Sequence, residues 1–185
     1  MSKLKRFISI LMIIILLISA IQPVFAVSGS GSWSGGQYAS GFKTTDNQKG
    51  NTGILIRKLT NTATGEKRTV FCAEHGVEFI TGRSYNGKYY TVTDRTIKKA
   101  CKIAYFGWYK ANPNYVVDGG ILDDSWAYDL RLSYVFTQQY IWETLGQSNA
   151  TFIDSNIQAK YVTFKQNIED QINSIKRRPS LNDVP

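Results

Sequence analysis

Apolar spacing changes along this chain, and each change marks an element. Residues 7–18 are an almost unbroken apolar run behind Lys3, Lys5 and Arg6, followed by Val24-Phe25-Ala26, a small-x-small cleavage site. Residues 1–26 therefore read as an export signal. The run is short for a membrane span and Pro23 interrupts it, so cleavage is the better reading. No later apolar stretch reaches spanning length, and the mature chain is expected to carry no membrane span.

Residues 27–46 are rich in glycine and serine, with Ser28-Gly29-Ser30-Gly31-Ser32 followed by Gly35-Gly36, and read as a flexible leader in which Trp33 and Tyr38 can still dock. Residues 53–60 and 67–75 then carry strand patterns joined by a turn at 61–66. Asn86-Gly87, between Tyr85 and Tyr89, predicts a second hairpin.

Helical spacing begins at Asp94, a candidate N-cap, and runs to about residue 109 with Ile97, Cys101, Ala104 and Trp108 on one stripe. Residues 112–124 are irregular. A second helix is expected over 128–145, stopped by Gly146. Ser155 is the expected cap of a third, carrying Ile157, Tyr161, Phe164, Ile168, Ile172 and Ile175, with Pro179 as its stop. Strands first and helices second predict an α+β domain rather than a doubly wound parallel sheet.

Charge narrows the function classes. The 185-residue chain has a formal net charge of +8. The three basic residues of the signal take the mature value to +5, on 159 residues, enough for one domain with a core. The one dense cluster, Lys176-Arg177-Arg178, closes a helix, where cations favour the dipole. A nucleic-acid partner is therefore not expected. Aromatics, at 13% of residues, suit either a packed secreted domain or a carbohydrate- or peptide-binding surface.

The candidate chemistry lies in Cys72, Cys101, Gln138 and His75. Two cysteines in an exported chain suggest a disulfide. Against it, Cys101 falls on the apolar stripe of its helix, where a thiol acts as a small hydrophobe. Gln138 shares a stripe with Tyr134, Ile141 and Leu145, flanked by Val135 and Trp142, whereas Gln139 falls at its margin beside Glu143. An amide centred on a buried apolar face needs partners for its polar atoms. By itself that describes a core glutamine bonded to backbone.

His75 is the only histidine. Three residues from Cys72 on a regular strand, it points to the opposite face, which opposes a Cys–His dyad unless a bulge intervenes. Glu74 or His75 acting as a proton shuttle stays open. Two separated cysteines and one histidine do not make a zinc spacing, so no metal and no cofactor are expected. Asn149-Ala150-Thr151 matches a glycosylation acceptor, a tripeptide common by chance.

Two segments carry a resemblance. Phe71-Cys72-Ala73-Glu74-His75-Gly76 and Thr137-Gln138-Gln139-Tyr140-Ile141-Trp142 resemble the paired motifs of the thioester domain of Gram-positive bacterial surface adhesins. The resemblance implies an α+β fold over residues 47–178, with a β-rich, sandwich- or barrel-like part packed against a helical part. An internal Cys72–Gln138 thioester would bridge the two. Gln139 is the alternative acyl donor, Thr137, Glu74 and His75 are candidate assisting groups, and Tyr140 and Trp142 are candidates for a wall that excludes water.

The resemblance further implies a secreted, monomeric module, attached to the cell surface through a region beyond residues 179–185. It would couple covalently through a lysine to a host extracellular-matrix or plasma protein such as fibrinogen. Each molecule would react once, so it would not be an enzyme. The other readings are a non-covalent host-protein or carbohydrate-binding module with an inert or disulfide-bonded cysteine, and a Cys–His hydrolase or acyltransferase.

Overall fold

The computed structural model describes residues 32–46, 53–86, 92–110 and 128–174. The expected signal, the tract 112–124, the turn at Gly87 and the closing residues 179–185 lie outside the described residues.

The first departure from expectation is at the start. Ser32–Ala39, placed in the flexible leader, is strand β1 of a four-stranded antiparallel sheet. It pairs with β2 (Leu55–Asn61) from Trp33 opposite Asn61 to Ala39 opposite Leu55, and on its other edge with β4 (Ser84–Asn86). β3 (Lys67–Val70) completes the order β3-β2-β1-β4. The glycines that suggested a linker have a packing purpose. Phe79 and Tyr85 stack with centroids 5.1 Å apart, and a Cβ on Gly35 would come within 2.8 Å of Tyr85 and 2.9 Å of Phe79. A glycine inside a strand commonly marks such close approach.

The expected β2–β3 hairpin is present. Its turn is held by the Asn61 side chain, whose Oδ1 accepts from the Ala63 and Thr64 N–H groups. β3 is shorter than expected and ends at Val70, so Cys72 lies beyond the strand in an irregular segment. β4 pairs with β1, and the far side of the expected second hairpin lies outside the described residues.

Helix α1 (Arg95–Ala104) starts where expected, with Asp94 Oδ1 accepting from Ile97 N–H at 2.9 Å. Its buried residues are Ala100 and Ile103, while Ile97 and Cys101 are exposed. The expected stripe fails because the helix widens into a π-turn at Tyr105–Tyr109. The wide turn resets the phase, so Trp108 is buried without Ile97 and Cys101 following it.

Helix α2 (Tyr128–Thr144) is enclosed on nearly every side, with eleven of its residues buried. It stops in a Schellman arrangement at Gly146, φ +68°, where Gln147 N–H donates to Trp142 O and Gly146 N–H to Glu143 O. Helix α3 (Ser155–Ser174) is capped by Asp154 rather than Ser155, since Asp154 Oδ1 accepts from the Asn156 and Ile157 N–H groups. Lys165–Glu143 at 2.8 Å ties α3 to α2, and Lys99–Glu169 at 2.7 Å ties it to α1.

The described residues are thus a mixed α+β arrangement, one sheet with three helices. A single hydrophobic cluster joins Phe42, Ile54 and Ile56 on the sheet side to the faces of all three helices. No helix among the described residues is long and apolar enough to cross a membrane.

Candidate functional site

One face of α2 is laid along the segment that follows β3. Tyr134, Gln138 and Trp142 are four residues apart and so share that face. Tyr134 Oη donates to Val70 O at 2.7 Å and accepts from Arg57 N–H at 3.2 Å. It is therefore inserted where the β2–β3 ladder ends, and the Phe71 ring stacks on it with centroids 4.8 Å apart. One turn on, Gln138 Oε1 accepts from Cys72 N–H at 2.8 Å and Gln138 Nε2 donates to Cys72 O at 2.9 Å. One turn further, the Trp142 ring meets His75 edge to face at 4.7 Å. The helix replaces the missing strand partner, its glutamine amide pairing with Cys72 as another backbone unit would.

Gln138 is fully buried and both its polar atoms are satisfied, which answers the desolvation cost of an amide at that position. Cys72 is half-buried above it, free of any disulfide, with its thiol donating to Glu74 O at 3.0 Å. Glu74 thus contributes a backbone oxygen. Cys101 is also free, and burial of part of its surroundings pushes its thiol pKa up, away from thiolate character.

Other expected site residues are not brought to Cys72. Gln139 is as buried as Gln138, contrary to its expected marginal position, because loop 148–152 and α3 cover that side of α2. Its Nε2 donates to Ser148 Oγ and Ala150 O, each at 3.3 Å. Thr137 Oγ1 donates to Ser133 O and packs on Gly107 of the π-turn. The Tyr140 hydroxyl bonds Glu169 of α3, and its ring lies under Lys99 and Lys165, so it walls a different side of the helix. Trp142 alone of the two aromatics faces the site.

Two contributors were not singled out as site residues from the sequence. Tyr134 was visible only as a member of the Gln138 stripe. Arg57 looked like an ordinary strand residue, yet it is 8% exposed and its guanidinium lies 5.9 Å from the Trp142 ring centroid. Beside it opens a cleft of about 400 Å³, lined among others by Asp46, Arg57, His75, Glu78, Phe79 and Trp142. No group of three His, Cys, Asp or Glu side chains placed to hold a metal ion occurs among the described residues.

Buried tyrosines frame this arrangement. Burial pushes the Tyr109 pKa up from 10.0 to about 12, against the opposing pull of Arg68. Tyr134 is raised further by burial, with Arg57 opposing, and Tyr161 by burial and then by the Glu143 carboxylate it bonds. In each case the folded state holds the proton that the unfolded state releases near pH 10. Their contribution to stability is therefore complete below pH 10 and is lost as pH rises towards the folded pKa. The expected loss is about 1.4 kcal/mol per pH unit for each tyrosine. Denaturant melts at a series of alkaline pH values should show stability falling steeply above pH 10, and an unchanged stability at pH 11 would contradict this account.

Comparison with family models, with curated proteins and with solved structures finds no match.

Proposed function

We propose that this chain is a secreted adhesin module whose Cys72 and Gln138 form an internal thioester, opened once by a lysine amine of a host extracellular-matrix or plasma protein such as fibrinogen. The observation that carries the reading is the double hydrogen bond between the Gln138 amide and the backbone of Cys72. It holds the acyl donor against the residue that bears the nucleophile, 66 positions away in sequence. Preorganisation of that kind turns a slow amide attack into an effectively unimolecular step.

The Cys72 thiolate attacks the Gln138 amide carbon, and the developing oxyanion sits on Oε1. That oxygen already accepts from Cys72 N–H, so the donor that stabilises the tetrahedral state belongs to the nucleophile's own residue. The Sγ–C bond forms, the C–Nε2 bond breaks, and the proton lost by the thiol leaves with Nε2 as ammonia. Nε2 takes with it only the bond to Cys72 O. In the coupling step sulfur becomes the leaving group: a neutral lysine amine adds to the same carbon, Cys72 departs as thiolate and takes up the amine proton, and an amide joins Gln138 to the partner. The thioester would then bridge the sheet side to the helical side of the domain.

His75 supports this reading over a Cys–His hydrolase. Its ring is against Trp142, while the Cys72 thiol is directed at Glu74 O. A glutamine that only pins the segment would make the same two bonds, and a partner-bound product separates the cases. Incubation with a lysine-bearing partner should give a complex that survives boiling in detergent. Peptide mapping should find the partner lysine on Gln138 and a free thiol at Cys72. A linkage through Cys72 would instead place the protein among the acyltransferases.

A further inference from the structure

We propose that the cleft lined by Arg57, His75 and Trp142, one helical turn beyond Gln138, receives an acidic side chain of the partner against Arg57, and that the acceptor lysine lies two residues from that acid. The inference rests on the thioester reading and adds what the partner segment must look like.

Arg57 is the starting point. It is 8% exposed, and its side chain lines the cleft. Its guanidinium lies 5.9 Å from the Trp142 ring centroid and 6.0 Å from that of Phe79, donates to Leu55 O at 3.4 Å, and leaves Nε without a hydrogen-bond partner. Among the described residues no carboxylate forms an ion pair with it. A buried cation is costly unless paired, and aromatic faces offset only part of that cost. A planar guanidinium resting near two rings is positioned for a carboxylate, which it can grip with two parallel bonds.

The charges around it set the polarity of the ligand. Asp46 and Glu78, the acidic residues of the lining, are exposed, whereas the cation is buried. Asp46 Oδ2 is engaged by Ser148 Oγ at 2.6 Å. The cleft therefore offers a cation at depth and carboxylates towards solvent, which suits a segment carrying an acid and a base close together. A volume of about 400 Å³ is ample for one acidic side chain and the backbone beside it.

Spacing follows from the helix. Trp142, the wall of the Arg57 pocket, is four residues beyond Gln138 on the same face, a rise of roughly 6 Å. In an extended peptide, side chains two residues apart share a face and are separated by roughly 7 Å. On an extended segment running along α2, a lysine reaching the Gln138 acyl carbon thus brings the side chain two residues away, on the same face, towards Trp142 and Arg57. Adjacent residues would point to opposite faces.

The test uses the purified protein and blocked five-residue peptides, each with one lysine. They carry Glu two residues before or after it, Gln at the same places, or Glu directly adjacent, and initial adduct formation is read by intact mass. One of the two-residue Glu peptides should couple at least about tenfold faster than its Gln counterpart, and Arg57→Gln should bring that ratio close to one. Should Arg57→Gln not fold, competition in the unmodified protein serves: N-acetylglutamate amide should slow the favoured Glu peptide and leave the Gln peptide unaffected.

Equal Glu and Gln rates, an advantage that persists in Arg57→Gln, or one independent of spacing would overturn the proposal. So would a failure of the competitor to slow the Glu peptide. A protein that still adds methylamine but shows no Glu preference sinks the cleft assignment alone. One that has lost no ammonia and adds no amine sinks the thioester reading, and this inference with it.

Discussion

Cys72→Ala and Gln138→Ala should each abolish covalent coupling to an amine partner, whereas Gln139→Ala should retain it. The loss should be complete, because one variant removes the atom that holds the acyl group as a thioester and the other removes the acyl group itself. Gln139 differs because its amide is directed to Ser148 and Ala150, on a side of α2 turned away from Cys72. The measurement is the yield of detergent-resistant complex with a lysine-bearing partner, checked by mass. Coupling that survives in Gln138→Ala and disappears in Gln139→Ala would reassign the acyl donor. Coupling that survives in Cys72→Ala would remove the thioester from the mechanism.

The same two substitutions should separate in stability. Cys72→Ala would lose the proposed cross-link, which closes a loop of 66 positions and is worth at most about 4 kcal/mol in the chain-entropy treatment of disulfides. It keeps the backbone N–H and C=O of position 72, so the intact Gln138 amide can make both of its bonds. Gln138→Ala would lose the cross-link and have no amide to take its place, leaving those backbone groups without partners and a gap inside a fully buried position. Gln138→Ala should therefore be the less stable of the two by about 2–4 kcal/mol, read from denaturant melts. Equal stabilities would mean that the amide pairing contributes nothing to holding residues 70–75 on the helix.

Helical phase placed Gln138 better than strand alternation placed Cys72. The spacing put the amide on an inward stripe with Tyr134, Ile141 and Leu145 and with Trp142 on its flank, and the structure lays Tyr134, Gln138 and Trp142 along the segment from Val70 to His75. Phase could not separate Gln138 from Gln139 by burial, because α2 is covered on nearly every side. What separates them is the partner, and that depends on chain brought in from residues 72 and 148–150.

The leader was misjudged for a related reason. β1 has few large side chains of its own, and Gly35 is accommodated under Phe79 and Tyr85, which come from later in the sequence. The expected stripe of α1 failed at a π-turn, which no residue pattern announces. Arg57 is buried by Phe79 and Trp142, neither near it in sequence, so a strand pattern alone could not mark it as a site residue.

Intact-mass analysis of the purified, unreacted protein tests the central claim most directly. The account requires the mature chain to lack the mass of one ammonia, with the full sequence mass restored in Cys72→Ala and in Gln138→Ala but not in Gln139→Ala. A chain at its full sequence mass contradicts it, and so does one lacking two hydrogens, which would place Cys72 and Cys101 in a disulfide.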